Sequence, residues 1–264
     1  MALARAALES LLRARHLDRT LTTAIPQTDP RDEQALAPSG VSALDARLGG
    51  GFPRGQLSEV VGPRSSGRTS LLLQTMAAAT ARGELVALVD ALDMFDPPSA
   101  AAAGVDLDRL LWIRGHLVVN QGLCRELNQR AIEQVIRAFT LVLQAGNFGL
   151  VVFDVAEAPA DAVRRLPFTT WLRLQRMVEG SQTACLLIGS QPMARSSAGL
   201  TLALGMRDSG LEGMRDSGRE GIRDSGVGIR FGERLFDGLD VQARIVRARA
   251  REQEEARVAL STSA

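Results

Sequence analysis

The chain has no lysine and no tyrosine, only two cysteines and two histidines, and few aromatic residues of any kind, at 4%. Cys124 and Cys185 lie far apart. With His16 and His116 they form none of the close pairs, such as C-x-x-C or H-x-x-x-H, that hold a metal ion, so no structural metal is expected. No apolar run approaches the roughly 20 residues that a membrane-crossing helix needs. The N-terminal stretch MALARAALESLLRARHLDRT is itself broken by Arg5, Arg13, Arg15 and Arg19. These absences predict a cytoplasmic protein with no membrane partner. A net charge of only +1 excludes a uniformly basic nucleic-acid binder, so any DNA contact must come from a local patch. All 31 basic residues are arginine, so an arginine in a place that usually takes lysine partly reflects composition.

What is present points to one α/β core. A chain of 264 residues with 45% hydrophobic content can bury one sizeable core and a small appendage. Residues 1–21 predict an amphipathic helix, with Leu3, Leu8, Leu11 and Leu12 on an apolar stripe that needs a partner. Residues 22–38, with three prolines, read as a linker. From residue 39 to 251, apolar strands such as QLSEVV, ELVALVD, LVVF and ACLLIG alternate with helical segments, the longest over 123–144. Continuous apolar strands between helices predict a mostly parallel sheet covered on both faces, closed by antiparallel strands on the C-terminal side. Trp112 and Trp171 are expected to pack. Within this core, residues 205–228 carry three copies of a G-x-R-D-S-G unit, too few and too polar for a solenoid, and read as an insertion between two strands. Residues 252–264 read as a polar tail.

The chemistry concentrates in GPRSSGRTS, which follows an apolar strand and opens a helix, the context of a G-x-x-x-x-G-K-[ST] phosphate loop. Gly62, Ser65, Ser66 and Gly67 supply a turn whose backbone N–H groups can face an anion, and Thr69 and Ser70 begin the helix. Arg68 stands where lysine is usual, and its planar fork does not reproduce a compact ammonium.

The segment SGVSALDARLGGGFPRGQLSEVVGPRSSGRTS closely resembles the entry of bacterial RecA, and VALVDALDMFDPPSAAAAGVDLDRLLWI resembles the stretch that carries RecA's catalytic glutamate. The resemblance spans roughly residues 39–204 and implies a RecA-like P-loop core. By its length and altered loop the chain is most similar to the ImuA proteins, relatives often placed beside the SulA cell-division inhibitors. The resemblance implies that Asp154 would hold magnesium through water and Gln191 would sense the γ-phosphate, whereas Leu92 occupies the place of the water-activating glutamate. No catalytic residue is therefore assigned. No cofactor is required, and weak binding of ATP with magnesium is the most that the loop implies. DNA-facing loops carried over hold Arg164 and Arg165 in a first loop (157–168) and Arg195 in a short second loop (192–198), and Arg244 and Arg247 near the C-terminus are further arginines able to contact phosphates non-specifically.

The implied function is that of a non-hydrolysing accessory factor in damage-induced translesion synthesis. Its partners would be RecA recombinase, an ImuB-type polymerase subunit and an error-prone replicative-type polymerase, together with single-stranded DNA contacted weakly. The competing readings are a DNA-stimulated ATPase in which Glu59, Asp93 or Asp96 replaces the missing acid, and a SulA-like inhibitor of cell division.

Overall fold

A computed structural model describes residues 36–117, 125–206, 241–248 and 257–260. The described chain opens with a short antiparallel pair, β1 (Leu36–Ala37) and β2 (Phe52–Pro53), that brackets helix α1 (Ser42–Leu48). The linker expected over 22–38 thus gives way at Leu36: Ala37 is buried and registered against Phe52. The predicted N-terminal helix, with Leu3, Leu8, Leu11 and Leu12, lies outside the described residues.

After β2 the chain alternates strand and helix as the apolar runs demand. The elements are β3 (Leu57–Val61), α2 (Arg68–Ala81), β4 (Val86–Asp90), α3 (Pro97–Ala102), β5 (Leu110–Arg114), α4 (Arg125–Ala145), β6 (Leu150–Asp154), α5 (Ala160–Arg164), α6 (Phe168–Val178) and β7 (Ala184–Gly189). Then come β8 (Ala198–Met206), β9 (Val241–Ala248) and β10 (Arg257–Leu260). One eight-stranded sheet runs in the order β10-β9-β8-β3-β7-β6-β4-β5. The pairs from β8 to β5 are parallel, and β8-β9 and β9-β10 are antiparallel. This is the α/β fold with C-terminal antiparallel strands that the sequence predicts. The polar-tail reading of 252–264 is corrected, because Arg257–Leu260 forms a strand against β9. A four-residue segment such as RVAL is too short to disclose a strand by its own pattern, and it exists through its pairing with β9.

Alternation along the central strands divides the core in two. Val60, Leu88, Val152 and Leu186 pack with Leu72 and Met76 of α2 on one face. Val89, Val151, Phe153 and Leu187 pack with Ile132, Phe139, Trp171 and Leu174 on the other. Trp171 is buried, edge-on to Phe153, as the packing reading expects. Of the predicted insertion, Gly205 already belongs to β8, and 207–228 lies outside the described residues. Among the described residues no helix is long and apolar enough to cross a membrane, and no cluster of potential metal ligands occurs.

Candidate functional site

Because β3, β7, β6 and β4 are parallel neighbours, their C-terminal ends share one edge, the place where open α/β sheets present ligand sites. Four segments leave that edge together: the turn 62–67 after β3, Ala91–Asp96 after β4, Val155–Glu157 after β6, and Ser190–Gln191 after β7.

The turn after β3 has the form expected of a phosphate loop. Ser65 and Gly67 have positive φ, of 59° and 86°, and α2 starts at Arg68. Gly62 is required by close approach: a Cβ there would sit 2.5 Å from the Leu204 carbonyl oxygen and 2.6 Å from Ser66 Oγ. The Ser66 hydroxyl is buried and has no hydrogen-bond partner. Thr69 and Ser70 are exposed at the start of α2. A cleft of about 440 Å³ opens beside the turn. It is lined by Arg64, Arg68, Thr69, Leu92, Asp154 and Glu157 among others.

Arg68 does not extend freely into this cleft. Its guanidinium, with a side chain 7% exposed, donates to Glu157 Oε1 at 2.9 Å and to the Ala156 carbonyl oxygen at 3.4 Å. The exposed Arg64 donates through Nε to the other oxygen, Glu157 Oε2. One carboxylate therefore engages both guanidiniums of the loop. Sequence reasoning places Glu157 only at the boundary of a DNA loop and overlooks Arg64. The available signal was an acid three residues beyond Asp154, in a chain whose phosphate loop carries two arginines.

Asp154 accepts from the Ala156 N–H at 2.9 Å. Burial pushes its pKa up to about 6, and the nearby carboxylates of Asp90 and Glu157 add to this against the Ala156 N–H and Arg68. Asp90 is buried and accepts from the N–H groups of Leu92 and Phe95, at 3.2 and 2.8 Å, and from Trp112 Nε1 at 3.4 Å, which shapes the turn that presents Leu92. Trp112 packs edge-on to Phe95 with the Arg114 guanidinium over its ring, so it too is a packing residue.

The three acids considered as substitutes for the missing glutamate are all engaged. Glu59 points to the sheet face opposite the cleft and is 1% exposed. It accepts from the N–H groups of Met193 and Ala194, each at 2.7 Å, and from Thr201 Oγ1 at 3.0 Å. Asp93 binds Arg114 through both oxygens, at 2.5 and 2.6 Å, which holds its carboxyl below the usual carboxylate range. Asp96 caps α3 by accepting from the Ser99 N–H at 2.9 Å, and Ser99 lowers its pKa.

Gln191 is not among the residues that line this cleft. Its Oε1 accepts from Arg164 at 3.0 Å, and it lines a second cavity of about 330 Å³ with Trp171, Met193 and Arg195. Of the basic positions, Arg164 and Arg195 line that second cavity together with Gln191, and Arg165, Arg244 and Arg247 do not. Arg165 pairs loosely with Asp161, at 3.7 Å, and Arg195 sits in a 3-10 turn at φ 49°. Arg244 and Arg247 lie on β9, which β8, β3 and β7 separate from β6. Arg244 is exposed there.

Comparison with known proteins agrees with this geometry. Residues 22–155 match the RecA N-terminal domain family. The chain is 55% identical to Protein RecA of Acholeplasma laidlawii over 122 residues, covering 46% of this chain and 33% of that protein. It is 41% identical to Protein RecA of Prochlorococcus marinus over 101 residues, 38% of this chain and 25% of that protein. It is 34% identical to Protein RecA of Leifsonia xyli over 156 residues, 53% and 40% respectively. The chain spans about a third of the length of the curated relatives it matches. With half of its length matched by the N-terminal domain family, and with a phosphate-loop turn at the shared edge of a parallel sheet, the chain belongs to the RecA family.

Proposed function

We propose that this chain is a non-hydrolysing, RecA-like accessory protein of the ImuA type. In this reading it acts in damage-induced translesion synthesis by binding RecA recombinase or an ImuB-type polymerase subunit, and so serves an error-prone replicative-type polymerase. The observation that carries the reading is Leu92 at the cleft, in the place where the family resemblance puts a water-activating glutamate, while Glu59, Asp93 and Asp96 are each committed to other partners. A leucine cannot accept a proton, and loss of a general base typically costs about 10²–10⁴ in rate. Asp154 remains in the cleft and would hold magnesium through water if nucleotide bound, with Thr69 as the hydroxyl beside it. The partners follow from the family resemblance, and localisation to the cytoplasm follows from that role.

Turnover and association test the reading together. ATP hydrolysis by the full chain, with and without single-stranded DNA, is expected at background, and Arg68→Lys alone should not raise it because Leu92 is unchanged. The chain should retain RecA recombinase or the ImuB-type subunit in a pull-down. Robust magnesium-dependent turnover, or failure to bind either partner, overturns it.

A further inference from the structure

We propose that Glu157 is a built-in occupant of the phosphate loop: its carboxylate holds Arg64 and Arg68 together, so an anionic ligand can use these two arginines only by displacing it. The inference deepens the reading of this loop given above and rests on it. Three observations converge on Glu157. Each of its oxygens takes one guanidinium, Arg68 on Oε1 and Arg64 on Oε2. A carboxylate bridging two guanidiniums satisfies the same charge-assisted donors that a phosphate would. The Arg68 side chain is 7% exposed although it opens the helix that follows the turn, so the bound carboxylate keeps it out of solvent. Beside it, Ser66 is 1% exposed and its hydroxyl is unpaired, while the positive φ of Ser65 and Gly67 keeps the turn in an anion-binding shape.

The consequence is quantitative. A loop that is competent only when Glu157 has swung away binds with an affinity reduced by the fraction of time it is open. A single negative charge holding two guanidiniums leaves the loop one positive charge instead of two. A triphosphate can still outcompete it through its larger charge, but at a cost that a neutral side chain at 157 would remove. Glu157 thus sets how weakly this loop takes phosphate, separately from whether Leu92 permits hydrolysis.

The test compares the full wild-type chain with Glu157→Gln, titrated calorimetrically with inorganic tripolyphosphate and with ATP at low salt. The variant is expected to bind both at least tenfold more tightly. Adding Arg64→Ala to Glu157→Gln should remove most of the gain, which places it at this pair of arginines. Equal or weaker binding by Glu157→Gln overturns the proposal. So does a Glu157→Gln chain that no longer unfolds cooperatively, because a contact that stands in a ligand's place is dispensable to the core. Turnover is read separately: hydrolysis by either protein would count against the non-hydrolysing reading and leave the affinity comparison intact.

Discussion

Two acids, Glu84 buried and Asp154 half-buried, show how differently a charge is accommodated in this chain. Glu84, with a side chain 2% exposed, accepts from Arg54 at 2.6 Å and from Arg82 at 3.0 Å. The same Arg54 donates to the carbonyls of Gly149 and Gln182, at 3.1 and 2.8 Å, and so ties the start of β4 to the chain leading into β6 and β7. Removing one partner of such a pair leaves a buried charge uncompensated, which costs about 3–5 kcal/mol. Glu84→Ala should lose that much in urea unfolding, and a loss under 1 kcal/mol would show the pair to be idle. Asp154 is the opposite case, a carboxyl whose burial makes the charged form unfavourable. Its folded pKa of about 6 lies above the ordinary 3.8, so between those values the folded chain binds the extra proton. Its contribution to stability is therefore complete below about pH 4 and is lost as pH rises through 6. Asp154→Asn should flatten that fall and gain on the order of 1–3 kcal/mol at pH 7 relative to wild type. A denaturation series from pH 4 to 7 with parallel curves for the two proteins would contradict this assignment.

At the scale of elements, Glu59 decides the form of the loop after β7. It sits mid-strand on β3, yet it receives the N–H groups of Met193 and Ala194 and so pins the 192–197 segment to the core. Glu59→Ala should leave those donors and Thr201 unpaired, costing roughly 2–4 kcal/mol. It should also raise amide exchange at 193 and 194 ahead of the central strands. Unchanged protection there would mean that the loop is held by other contacts. The hairpin β1-β2 depends on Gly51, where φ is 134° and a Cβ would fall 2.1 Å from the Ala37 carbonyl oxygen. These elements also mark what the sequence made legible. The central strands were readable because short, mostly apolar runs between helical segments, as in LVVFD and ACLLIG, suit strands buried on both faces. The turn 62–67 was readable because strand, glycines and helix follow in order. β1 and β10 were not, because strands of two and four residues have no periodicity of their own and exist through their partners. Glu157 was visible only as an acid three residues beyond Asp154: its ion pairs with residues 64 and 68 depend on β3 and β6 flanking β7, which no local pattern states.

For the molecule as a whole, the sheet order separates what carries the cleft from what closes the C-terminal edge. The phosphate-loop turn, Leu92, Asp154 and Glu157 all follow the parallel strands β3, β4 and β6, whereas β9 and β10 are added outside β8. Residues 207–240 connect β8 to β9, and the two ends of that connection are register partners, Met206 opposite Val241 in an antiparallel pair. Antiparallel strands so placed can be joined by a two-residue turn such as Asn-Gly. The repeats that the sequence singles out at 205–228 fall almost wholly within this connection, with Gly205 and Met206 assigned to β8. Replacing 207–240 by Asn-Gly should therefore preserve the sheet. Loop-closure cost changes by only about 0.6 kcal/mol per doubling of length, so the shortened chain should be unchanged or more stable by up to roughly 2 kcal/mol. Melting followed by circular dichroism checks this, and a lowered or lost transition would show that 207–240 supplies contacts the core needs. If the shortened chain folds but no longer binds the partner that the wild type retains, the repeats belong to the docking surface instead of the fold. Measuring both properties on one variant decides between those roles.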